Sequence, residues 1–183
     1  MTTEQTKRRE LLVTPEPGID PTVARWLWLL TDARKRTLEG LDGMTDRVVN
    51  WMPPNDGSNH GGHNIGSLLY HMALIELDWL YVEILEQPAY DEQVSALLPY
   101  SDRDANGHLT VVNHESLQTH LARLAAGRQL LVAALQQMRA EEFYRVRHLD
   151  AYDVTPEWVL HHLMQHEAEH RGEILEIRRR ATL

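Results

Sequence analysis

The residues with the clearest chemical meaning are His166-Glu167-Ala168-Glu169-His170 near the C-terminus, together with a lone upstream His71. On a helix, two histidines four residues apart project from one face about 6 Å from each other. Their ring nitrogens can then close on one cation at about 2.1 Å. A third imidazole nitrogen, from His71 on another helix, would leave one coordination position for water or substrate. His71, His166 and His170 are therefore the candidate ligands of a single divalent metal ion.

His162 extends the histidine row by one turn, but the outer two of residues 162, 166 and 170 stand about 12 Å apart on a straight helix. One ion cannot take all three, so His162 sits behind a ligand, faces a substrate or is simply packed. Glu173, one turn beyond His170, orients an imidazole, approaches the open position, or is an ordinary carboxylate on the helix flank. The string His166-Glu167-x-x-His170 also matches the zinc-peptidase motif, in which the glutamate is a general base. The surroundings fit that reading poorly. The extended form of the motif needs Gly and His where this chain has Glu173 and Glu176. Only thirteen residues follow His170, and no sheet edge is available to hold a substrate strand. His60 and His63, flanking Gly61-Gly62, read as a flexible polar turn. His108, His114, His120, His148 and His161 show no convergence.

The candidate ligands need rigid elements beneath them. Asp20-Pro21 is a helix start, an N-cap followed by proline in the first turn. It predicts a helix to about residue 39, with Leu27, Leu30, Ala33 (beside Arg34) and Leu38 as its stripe. A short helical piece over 44–51 stops at Pro53-Pro54. Asn64 caps a second long helix that carries Ile65, Leu68, Leu69, Met72, Ile75, Trp79 and Val82 to about residue 86, with His71 beside this stripe. Residues 88–112 read as a long loop with short local structure, and a loop of that length in a compact domain is often functional. A third helix is predicted over about 114–138, with Leu117, Leu121, Leu124, Arg128, Leu131 and Leu135 along its stripe. Thr155-Pro156-Glu157 starts a fourth, which carries the histidine row. Arg178, Arg179 and Arg180 place favourable charge at its C-terminus. The tryptophans read as core and end-packing.

Four long helices with almost no strand signal indicate an all-α fold, a four-helix bundle, and bundles build metal sites from side chains on facing helices. The length of 183 residues suits one domain. The expected organisation is a tail over 1–19 and a single domain over 20–183. Without cysteine, thiolate ligands, a catalytic cysteine and disulfides are all excluded. Twenty-seven acidic residues against 18 basic ones give a formal net charge of −9, which disfavours nucleic acid as a partner. The apolar runs are too short to span a bilayer, and Met1 to Glu10 lacks the apolar stretch of a signal peptide. A cytoplasmic setting with no membrane partner is the expectation.

The pattern Trp51-x-Pro53, then Asn64-Ile65-Gly66-Ser67-Leu68-Leu69-Tyr70-His71, then His166-x-x-x-His170-Arg171-Gly172-Glu173 resembles the DinB-like family of small four-helix metalloproteins. The resemblance runs from about residue 21 to 180, and its most specific part is the His-Arg-Gly turn. It implies an up-down-down-up bundle with a long loop between the second and third helices. The implied metal ligands are His71, His166 and His170, holding zinc or nickel, and the implied assembly is a homodimer. Several relatives are transferases or isomerases that use a low-molecular-weight thiol such as mycothiol or bacillithiol; many have no established activity. The chain departs from the pattern at Glu173, where members usually carry glutamine. The leading expectation is a metal-dependent transferase acting with a small thiol on an electrophilic small molecule. The alternatives are a metal-binding protein without catalysis, linked to stress, and a metal-dependent hydrolase.

Overall fold

The computed structural model describes residues 10–54, 62–87 and 89–183. Residues 1–9 of the expected tail, the loop over 55–61 with His60, and Pro88 lie outside the described residues. The described chain is mostly helical. It forms α1 (Pro21–Leu41), α2 (Asp46–Val49), α3 (Ile65–Trp79), which runs on into a π turn (Leu80–Ile84), α4 (Glu92–Leu97), α5 (Leu117–Gln136), α6 (Ala140–Phe143) and α7 (Pro156–Ala181). Between α6 and α7 a small antiparallel hairpin pairs β1 (Arg147–His148) with β2 (Asp153–Val154).

The start signals act as expected. Asp20 accepts from the Thr22 amide at 2.9 Å, Asn64 from the Ser67 amide at 2.7 Å, and Thr155 from the Trp158 amide at 3.2 Å. Each such cap contributes about 1 kcal/mol. The stripe of α1 differs from the predicted one. Its buried face is Val23, Leu27, Leu30, Arg34, Thr37 and Leu41, whereas Leu38 is 43% exposed. The face advances in steps of three and four through two polar residues, which an apolar-only pattern skips over.

The long helices pack α1 on α7 and α5, and α3 on α5 and α7. Two apolar clusters result. One gathers Leu30, Leu77, Leu131 and Leu163; the other gathers Leu41, Leu69, Leu124 and Ile174. Between them, at one position on each long helix, lie Arg34, Glu76, Arg128 and Glu167. These four side chains close a ring of ion pairs: Arg34 to Glu76 (2.8 Å) and Glu167 (2.7 Å), and Arg128 to Glu76 (2.8 Å) and Glu167 (3.1 Å). The remaining guanidinium donors reach the Leu124 and Leu30 carbonyls. Two positive and two negative charges balance, and each is hydrogen-bonded, as burial of ionised groups requires. Burial pushes the Glu76 carboxyl up, but Arg128 and Arg34 outweigh it and hold the group below the usual carboxylate range.

One glycine sets how closely α3 and α5 approach. A Cβ on Gly66 would lie 2.9 Å from His120 Nε2 and 3.1 Å from the Val112 carbonyl oxygen, so only glycine lets the helix seat there. The start of α3, and with it His71, is thereby fixed against α5 and the preceding loop.

Candidate metal centre

His71 lies in the second turn of α3, and His166 and His170 lie on α7. Because α3 packs directly on α7, their facing rings meet. His166 Nε2 stands 3.1 Å from His71 Nε2 and 3.0 Å from His170 Nε2. The ring centroids are 4.4–5.1 Å apart, and the ligating atoms of all three residues fall within 4.8 Å of one another. The structure thus brings together the three histidines singled out by spacing.

The outer nitrogens decide what this cluster can hold. His71 Nδ1 faces Asp102 Oδ1 at 2.5 Å, and His170 Nδ1 faces Glu173 Oε2 at 3.1 Å. A carboxylate only accepts, so each Nδ1 carries the proton, and in the neutral imidazole each Nε2 then presents a lone pair. His166 can direct at most one proton, so at least one of the two close Nε2···Nε2 contacts sets lone pair against lone pair. Burial, reinforced by His170 and His71, pushes the His166 imidazole down to about 3, so it is neutral at neutral pH. A cation at the centre removes the repulsion. In a tetrahedral zinc site with bonds of 2.1 Å, neighbouring nitrogens stand roughly 3.4 Å apart, within a few tenths of an ångström of the spacing here. The donor set therefore fits a divalent metal. Carboxylates behind ligating imidazoles are the usual means of fixing ring tautomer and orientation.

Asp102 was not visible in the sequence as a functional residue. It comes from the segment between α4 and α5, and its second oxygen pairs with Arg103 Nε at 3.2 Å. Burial raises its carboxyl, but the hydrogen bond from His71 and the Arg103 guanidinium together bring it below the usual range. The long loop thus supplies a carboxylate to the histidine cluster. A cleft of about 390 Å³ opens beside the three histidines, walled by His63, Arg103, His108, Leu109 and Glu173. His63 Nε2 lies 3.8 Å from the same Glu173 oxygen that meets His170. His63 and His108, assigned no partner role from sequence, thus border the cleft.

The other histidines fall elsewhere. His162 is packed: its ring lies 8° from parallel with Trp158 at 5.2 Å and 4.6 Å from Trp79. Burial pushes its imidazole down. His120 is fully buried, with Nδ1 at 3.2 Å from Arg123 Nη1. His148 pairs with Asp153 across the hairpin at 2.8 Å.

Glu167 answers the peptidase question. A general base must reach a water at the ion. This side chain instead turns into the ion-pair ring, 3% exposed, with Arg34 on Oε1 and Arg128 on Oε2. The HExxH string is here two candidate metal ligands and one core carboxylate.

Comparisons with known proteins agree with this architecture. A crystal structure of a conserved protein from Enterococcus faecalis superposes with a TM-score of 0.65 at 21% sequence identity, covering 88% of this chain and 97% of that one. At that identity the likeness speaks for the fold alone. No curated protein matches the chain. The family model of the DinB superfamily matches residues 29–174, and with four-fifths of its length covered the chain belongs to that superfamily.

Proposed function

We propose that this protein holds one divalent ion, zinc or nickel, on His71, His166 and His170, and uses the ion's vacant face to transfer a low-molecular-weight thiol to an electrophilic small molecule. One observation carries the metal reading: three Nε2 atoms from two helices converge beside an open cleft while carboxylates hold two of the opposite nitrogens. Thiol transfer rests on the family resemblance and on the absence of a cysteine nucleophile in the chain.

The bound ion would bring the pKa of a thiol or water at its free position towards neutrality. The chain's own groups do the rest. Asp102 and Glu173 orient the imidazoles, and Glu173, exposed at the cleft, is placed to take up the thiol proton. The cleft holds the electrophile; sulfur bonds to its carbon, and the leaving group departs with the bonding pair.

The proposal extends to the chain as a whole. The two core clusters occur in one order along α1 and α7 and in the reverse order along α3 and α5, which supports an up-down-down-up four-helix bundle. We read residues 20–183 as one domain behind a tail over 1–19, acting as a homodimer in the cytoplasm on small molecules. The net charge of −9 speaks against nucleic acid. Among the described residues no helix is long and apolar enough to cross a membrane.

Metal analysis of protein purified without a histidine tag tests the centre. The wild type and His162→Ala should carry one equivalent, and His166→Ala or His170→Ala none; full metal in the His170 variant overturns the assignment. Metal-loaded protein should then accelerate conjugation of an electrophilic dye by at least one of a panel of biological thiols. No rate above background with any thiol would reduce the reading to metal binding without transfer.

A further inference from the structure

An apolar cleft lies away from the candidate metal centre. Its volume is about 550 Å³, and it sits where the β1–β2 hairpin, the start of α7 and the end of α3 meet. Trp79, Tyr152 and Trp158 supply its aromatic wall. Trp79 stacks within 26° of Tyr152 at 6.3 Å and within 34° of Trp158 at 5.4 Å. Trp158 is 48% exposed and Tyr152 45% exposed, so two large rings stand in water around this hollow. Isolated apolar residues on a surface need no explanation, but a clustered concave set marks an interaction site.

We propose that this cleft is a binding site for small organic cations. Asp153 is the one charged group among its lining residues. A second carboxyl, Glu83, is 4% exposed and joins the aromatic wall through Tyr152. Its Oε1 accepts the Tyr152 hydroxyl at 2.6 Å, while its buried Oε2 has no hydrogen-bond partner among the described residues. Burial pushes this carboxyl above the usual carboxylate range, and an approaching positive charge would offset that cost. The nearby arginines do not provide that charge, since Arg145 pairs with Glu86 and Glu142, and Arg147 with Glu142. The ring faces add negative quadrupole potential, the feature by which aromatic cages hold quaternary ammonium groups. Glu83 sits in the π turn that follows Trp79, and such turns recur at functional sites. Anionic and neutral ligands would forgo the charge complementarity.

This site does not depend on the metal reading. Trp158 and His166 are two helical turns apart, about 12 Å. The ring of His162 lies between them, 5.2 Å from Trp158 and 5.9 Å from His166.

The test is calorimetric titration of the full chain with N-methylquinolinium, and with naphthalene-2-sulfonate as an anion of similar size and apolarity. The cation should bind with Kd below about 1 mM, and the anion at least about tenfold more weakly. The indole ¹H–¹⁵N resonances of Trp79 and Trp158 should shift during the cation titration. Trp158→Ala, at a half-exposed position, should weaken the cation about tenfold, and the exposed Asp153→Asn about three- to fivefold. Circular dichroism should show both variants folded. Equal affinity for the anion, unchanged cation affinity in folded Trp158→Ala, or no binding up to about 10 mM overturns the proposal.

Discussion

Asp102 offers the sharpest test of how the centre works, because it acts on the metal only through His71. Its Oδ1 accepts from His71 Nδ1 at 2.5 Å, and His71 is a buried ring with 6% exposure. Asp102→Ala removes the acceptor. The imidazole then either keeps its proton on Nδ1 without a partner, at about 1–3 kcal/mol for a buried donor, or moves it to Nε2 and loses the ligating lone pair. Either course weakens the metal by about 10–100-fold, the range found for residues behind ligands. Asp102→Asn keeps a carbonyl acceptor but loses the charge; charge-assisted bonds are roughly twice as strong as neutral ones, so it should fall about midway on the logarithmic scale. Competition with a chromophoric chelator at fixed pH reads the affinities directly. Asp102 lies in a loop and is part-exposed, so the metal-free variants should stay folded, with a stability loss of at most about 1–3 kcal/mol. An Asp102→Ala protein that binds zinc as tightly as wild type would falsify the claim that this carboxylate sets the His71 tautomer.

Two further outcomes follow from the buried charges. Arg128→Met leaves Glu76 and Glu167 sharing only Arg34, and should lower unfolding free energy by about 3–5 kcal/mol; denaturant titration checks it, and a loss below about 1 kcal/mol would mean the ring is not a coupled unit. His120 titrates near 4 when folded because burial disfavours its charge, against 6.5 when free. Its folded pKa lies below the unfolded one, so the unfolded chain binds the extra proton first, and stability contributed by His120 is full above about 6.5 and lost as pH falls towards 4, by up to about 3 kcal/mol. Denaturant midpoints from pH 7 to 4.5, compared with His120→Gln, should show a shallower slope in the variant; parallel slopes would remove His120 as the source.

The sequence marked the helix starts well because capping is local: Asp20-Pro21, Asn64 and Thr155-Pro156 each carry their whole signal within three residues. It also placed the histidine row, since a four-residue spacing maps directly onto one helix face. The end of α3 was harder. Leu80, Tyr81 and Ile84 are all buried and continue an apolar pattern, so nothing in residue type separates an α turn from a π turn there. The hairpin of two-residue strands is too short for an alternation to register. Asp102 stood in a loop where no periodicity ranks one acid above another; only the folded path of that loop brings it to His71. The ion-pair ring left a fainter trace. Arg34 and Arg128 fell on or beside otherwise apolar stripes, and charges at such positions are buried only in company. Which acids keep them company depends on four helices meeting, and no single stretch of sequence contains that.

The ring and the metal centre share a turn of α7, and this constrains both. Glu167 lies between the proposed ligands His166 and His170, and Glu76 lies five residues after His71 on the facing helix. Replacing a buried ion pair with apolar side chains is often neutral or stabilising, so net stability is a weak reason for four charges here. Register is a better one. Two leucine layers can slide past each other at modest cost, but displacing α7 against α3 by one residue would separate Glu167 from Arg34 and Arg128 and leave buried charges unpaired. The same displacement would carry His166 and His170 about 1.5 Å along the helix axis and turn them by about 100°. A site that needs three nitrogens within a few tenths of an ångström of fixed spacing gains from a core that penalises such slippage. On this argument the glutamate inside the HExxH string contributes to the metal centre from the opposite side of the helix, by fixing where its two neighbours stand.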